Sequence, residues 1–214
     1  MTPLAWPCAG GEEYALAFDK RRPRRLLIVP ALFDEGNRMR RLTVETMRRL
    51  DAAGIDSFLP DLPGTNESLL PLEAQTCTDW REATATAARH FGATHVLGIR
   101  GGCLFTPAEL PCRHYAPVKG SSVLRQMIRA RIVASREAGV EETTAGLMEL
   151  AVTQGIELAG YWLGAGFIGE FKDLEPQSTK VIEQSDLPGP GLWLRAEPGD
   201  SGEQADVLAR AIVG

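Results

Sequence analysis

The chain has 214 residues, 44% of them hydrophobic and 24% charged, enough to bury one core and suited to a single domain over residues 1–214. Its 23 basic and 28 acidic residues leave a net charge of −5, with 13 of each sign in residues 1–100 and 10 against 15 in the remainder. Neither part has the positive excess of a nucleic-acid binder. No apolar run approaches the roughly 20 residues of a membrane span. The opening Met-Thr-Pro-Leu-Ala-Trp-Pro lacks the basic-then-apolar layout of a secretion signal, so a cytoplasmic location is expected.

Cys8, Cys77, Cys103 and Cys112 include no Cys-x-x-Cys spacing and are expected as free thiols. His90, His95 and His114 include no pair four residues apart. Neither a metal nor a cofactor is therefore expected.

Leu26–Val29, ended by Pro30, is short and wholly apolar, as in a strand buried on both faces. Arg38–Ala53 puts Met39, Leu42, Met47 and Leu50 on one side, predicting an amphipathic helix closed by Gly54. Residues 55–60 read as the next strand and 61–68 as a loop. Thr78 is placed to cap a second helix with the stripe Trp80, Ala83, Ala87 and Phe91. His95–Ile99 predicts a third strand running into Gly101-Gly102, and Cys112–Val118 a weaker fourth. This alternation predicts an α/β fold, a mostly parallel sheet with helices on both faces.

Further helices are expected at Ser122–Ala134, Glu142–Val152 and Gly164–Lys172, and strands at Lys180–Gln184 and Gly191–Arg195. Only six residues separate these last strands. A crossover helix needs more, so either the two pair antiparallel or one is not a strand. Ser201 caps a final helix whose buried stripe is Ala205, Leu208, Ala209 and Ile212. The helices of residues 121–173 are expected to form a small cap inserted in the domain.

Gly98-Ile99-Arg100-Gly101-Gly102 comes directly after an apolar strand, in the setting where α/β-hydrolases carry Gly-x-Ser-x-Gly, a strained turn that presents the nucleophile. Pro60–Ser68 is similar to the Asp-x-x-Gly-x-x-x-Ser loop of that fold, and Pro30–Phe33 stands where its oxyanion loop lies. More narrowly, the chain resembles the exosortase A system-associated hydrolase 2 family of exopolysaccharide gene clusters. The resemblance rests on Pro30–Arg41, Asp61–Ser68, Thr78-Asp79-Trp80, Gly98-Ile99-Arg100, Ala116-Pro117-Val118 and Ala159-Gly160-Tyr161. It implies a reduced α/β-hydrolase-like fold with arginine at the nucleophile position.

Arginine stays protonated and offers no lone pair, so it cannot attack a carbonyl. No histidine lies beyond His114, which leaves no triad base near the end of the sheet. Asp200 would have nothing to orient. Cys103 is a substitute nucleophile or, more simply, a small apolar residue against the sheet. His114, Asp34, Glu35 and Asp61 are candidate bases for activating water. Arg100, beside the amides of Gly101 and Leu32 and next to Ala31, could instead grip a carboxylate or phosphate. Alternatively it pairs with Asp34 or Glu35 and plugs the turn.

Two functions are compatible with these residues. One is that of a protein without a triad that binds a small anionic ligand or a protein partner at the elbow. The other is that of an atypical hydrolase of an ester or related bond. Arg21–Arg25 and the Arg125, Arg129, Arg136 row read as solvated surface, and Trp80, Trp162 and Trp193 as core or cap packing.

Overall fold

A computed structural model describes all residues, 1–214. The chain opens with a hairpin, β1 (Thr2–Cys8) and β2 (Gly11–Phe18), then continues through β3 (Arg25–Val29), α1 (Phe33–Ala52), β4 (Asp56–Pro60), α2 (Cys77–His90) and β5 (His95–Ile99). Then come β6 (Cys112–Tyr115), α3 (Gly120–Glu137), α4 (Thr144–Gln154), a short hairpin of β7 (Ile156–Leu158) and β8 (Tyr161–Leu163), α5 (Ala165–Phe171), β9 (Lys180–Ile182) and α6 (Gly202–Val213).

Seven strands form one sheet in the order β1-β2-β4-β3-β5-β6-β9. The hairpin joins β4 antiparallel, while β4, β3, β5, β6 and β9 run parallel. The expected mostly parallel sheet with helices on both faces is present. Residues of β3 alternate between two cores, as strand geometry requires. Leu27 and Val29 join a cluster with α2, α3, α4 and α5, whereas Leu26 and Ile28 face α1 and α6. Residues 121–173 thus share one continuous apolar cluster with Trp80 and Phe105.

Several boundaries differ from expectation. α1 begins at Phe33 rather than Arg38, which carries Asp34 and Glu35 into its first turn. The cap of α2 is Thr76, not Thr78. Thr76 Oγ1 accepts from the Asp79 amide, and the Asp79 carboxylate accepts from the Thr76 amide, a reciprocal capping box. Residues 191–195 are not a strand: Leu192–Leu194 forms a single 3-10 turn. β9 pairs parallel with β6 and forms the rim of the sheet.

Ser201 caps α6 as expected, and the predicted stripe of that helix is buried. Trp80 and Trp193 are buried, but Trp162 is 57% exposed on β8. Within the arginine run, Arg22 and Arg25 both pair with the fully buried Asp56, so these two are structural clamps rather than solvated side chains. No helix is long and apolar enough to cross a membrane.

Candidate functional site

The parallel strands β3, β5 and β6 end side by side, and a non-glycine residue at positive φ stands within a few residues of each end. These are Phe33 (+52°), Arg100 (+52°) and Ala116 (+45°). Such conformations cost about 1–3 kcal/mol each and gather at functional positions. The elbow is therefore strained at the residue where the hydrolase motif puts its nucleophile.

Glycines make that turn possible. A Cβ on Gly102 would lie 2.2 Å from the Pro30 carbonyl oxygen, and one on Gly98 would lie 2.9 Å from Cys103 Cα. The elbow backbone thus presses directly on the Pro30–Phe33 loop. Gly101 sits against Leu32, where an added Cβ would fall 3.0 Å from the leucine side chain. The elbow leads into a six-residue 3-10 turn, Arg100–Phe105. Pro107 disfavours helical backbone at Thr106 and ends the turn. A turn this short supplies little of the macrodipole that a long α-helix would offer an anion at Arg100.

Arg100 turns inward. Its Nε and Nη2 donate to the two carboxylate oxygens of Glu35 at 3.0 and 2.9 Å, and its Nη1 donates to the Ala116 carbonyl at 3.0 Å. The two side chains are only 12% and 8% exposed. The Trp193 ring covers the guanidinium at 4.1 Å from its centroid, within cation–π range. Arg38 on α1 donates to the Trp193 carbonyl at 3.0 Å, tying the Leu192–Leu194 turn down over the elbow. Trp193 also packs edge-on against Tyr115, whose hydroxyl donates to Gln184.

Of the sequence-derived candidates, Arg100, Glu35, Gly101 and Leu32 come together. Ala31 and Leu32 line a cavity of only about 50 Å³ with Arg40, Asn66 and Tyr161, room for about one or two waters. Asp34 points outward toward Arg38 at 3.5 Å. Cys103 is buried beneath the turn, and burial pushes its thiol far up, away from the reactive thiolate. His114 is 1% exposed, with Nε2 on Thr106 Oγ1 at 3.0 Å and no partner for Nδ1. Burial lowers its pKa.

Asp61 accepts from Asn66 at 2.7 Å and lies 3.6 Å from Arg40, while burial raises its pKa. Asp200 pairs with Arg41 at the surface. Trp193 and Ala116, which complete the enclosure of Arg100, were not singled out as site residues. The positive φ of Ala116 leaves no trace in residue types.

Residues 121–173 reach the same place. The Tyr161 ring lies 5.3 Å from that of Phe33, and Asn37 donates weakly to the Tyr161 hydroxyl at 3.4 Å.

Sheet order, elbow and oxyanion-type loop define a protein of the α/β-hydrolase fold, in a reduced form. Among solved structures, the chain is similar to Est1E from Butyrivibrio proteoclasticus, determined with ferulic acid. The identity is 14% over 84% of this chain and 77% of that one, with a TM-score of 0.52. Naproxen esterase from Bacillus subtilis matches at 17% identity, TM-score 0.44, over 55% of this chain and 44% of the esterase. The α/β hydrolase GrgF from Penicillium sp. sh18 matches at 15%, TM-score 0.47, over 66% and 56%. The chain spans about half the length of these last two. At such identities the likeness is one of fold alone. No protein-family model matches the chain, and no curated protein is detectably similar to it in sequence.

Proposed function

We propose that this chain is an α/β-hydrolase-fold protein that binds rather than cleaves, with its elbow sealed from within. The observation that carries this reading is the bidentate Arg100–Glu35 pair beneath Trp193. Glu35 supplies the carboxylate that an anionic ligand would otherwise bring. A small anion would have to displace it, so a protein partner engaging the mouth around Arg38, Trp193 and Tyr161 fits better than a free ion in the elbow. The segment 121–173 belongs to the layer on the Leu27 and Val29 face of the sheet and reaches over the oxyanion-type loop through Tyr161. The resemblance to the exosortase A system-associated hydrolase 2 family extends this reading to a role in surface-polymer production.

The candidate water-activating groups are otherwise engaged. Asp34 faces out, Glu35 is neutralised, and His114 is buried under the turn. Asp61 is held by Asn66 and Arg40.

The test uses purified protein with a 4-nitrophenyl ester and a fluorophosphonate probe. Neither turnover nor labelling is expected. Ester turnover that disappears in Asp61→Asn or His114→Ala would overturn the reading. A second arm titrates formate. Glu35→Ala, with its seat emptied, should bind formate while the parent chain does not; equal binding by both would show the elbow is open.

A further inference from the structure

At the opposite end of the sheet from Arg100, the starts of β3, β5, β6 and β9 and the end of α6 enclose a second cavity, of about 410 Å³. That volume falls in the range of small-molecule sites, roughly 300–1,000 Å³. Its floor is apolar, built from Leu26, Ile55, Leu97 and Ile212, and no acidic residue lines it.

Its rim carries Arg24, Arg113 and Lys180. Arg24 donates to the Ile212 and Val213 carbonyls at 2.6 and 2.7 Å, and Arg113 donates to the Ala211 carbonyl. These bonds fix both guanidiniums in place and leave N–H donors over, since each has five. No carboxylate forms an ion pair with any of the three cations. His95 reports the same field: burial first, then Arg24 and Arg113, hold its pKa below the ordinary value.

We propose that this cavity is a binding site for a small organic monoanion with an apolar body, a carboxylate on an alkyl chain or aromatic ring. The body would lie on Leu26, Ile55, Leu97 and Ile212, with the carboxylate among Arg24, Arg113 and Lys180. A charged head on an apolar tail matches a charged rim over an apolar floor, each part of the ligand leaving water for a partner of its own kind. The site is independent of the elbow, so it stands whether or not the chain hydrolyses anything.

The experiment monitors the imidazole ¹H–¹⁵N signals of the three histidines during titration with octanoate, 2-naphthoate, inorganic phosphate and octyltrimethylammonium. His95 should shift saturably with octanoate, 2-naphthoate or both, which also tells chain from ring. The buried His114 should stay still. Phosphate, lacking the body, and the ammonium, carrying the wrong charge, should leave His95 unmoved. Lys180 is exposed, so Lys180→Glu should keep the fold while weakening carboxylate binding about tenfold. No saturable shift with either carboxylate, an equal response to the ammonium, or unchanged affinity in Lys180→Glu would overturn the proposal.

Discussion

Arg100 and Glu35 meet edge to edge through two hydrogen bonds of 3.0 and 2.9 Å, so the strained residue of the elbow is neutralised by the first turn of α1. A buried pair of this kind is costly to break and cheap to replace whole. Glu35→Ala should therefore lose about 3–5 kcal/mol in urea unfolding. The double change Glu35→Leu with Arg100→Met should recover most of that loss. A double variant no more stable than Glu35→Ala would show that the site needs the hydrogen-bonded pair itself and not merely a filled volume.

Trp193 covers the guanidinium and braces Tyr115. Trp193→Ala should cost about 3–5 kcal/mol through the void it leaves. Trp193→Phe, which keeps an aromatic face over Arg100, should be more stable than Trp193→Leu by about 0.5–2 kcal/mol. Thermal melts of the three variants separate the volume from the π-face.

A methyl at Gly102 meets backbone, the Pro30 carbonyl, which cannot swing aside. Gly102→Ala should lose about 1–3 kcal/mol or more as the elbow parts from the loop after β3. Gly166 in α5 has nothing within 4 Å of an added Cβ. There the same substitution should gain up to about 1 kcal/mol. Opposite signs in one denaturation assay would confirm that the close approach is local.

Burial holds the His114 imidazole below its ordinary 6.5, so the folded chain takes up that proton less readily than the unfolded one. Stability must then fall as pH drops through 6.5 toward the lower folded value. His95, also lowered, adds to the slope. Replacing His114 with Gln removes only its own share, and the urea midpoint should decline less between about pH 7.5 and about pH 5.5 than in the parent. Parallel declines would place a partner on His114 Nδ1.

The parts of the fold that were legible are those whose burial is written in period. β3 and β5 are apolar on both faces, and α6 has a cap and a clean stripe. The β1–β2 hairpin was not foreseen, because β1 carries Pro3 and Pro7 and buries only Trp6 fully. Its one signal was the Gly10-Gly11 pair, which closes the Ala9-Gly10 turn and opens β2, both glycines at positive φ. The β7–β8 hairpin has three-residue strands around Ala159-Gly160, too short for any alternation to register.

At the site, the glycines marked the elbow, and arginine chemistry excluded an acyl-enzyme on residue 100. Which acid meets Arg100 was open because Asp34 and Glu35 are neighbours. The early start of α1 decides it, since adjacent helical residues point about 100° apart and only one can face the core. Trp193 was legible as a packing residue, but its place over Arg100 depends on a turn where a strand was expected.

The left-handed kink at residue 100 carries an arginine, and glycines at 98, 101 and 102 give the backbone around it room. If the chain binds rather than cleaves, as proposed, anyone wishing to give it hydrolysis would inherit the main-chain contortion ready-made. The changes would be confined to exchanging side chains: a hydroxyl at 100, an imidazole within its reach, and a smaller roof where the indole now rests.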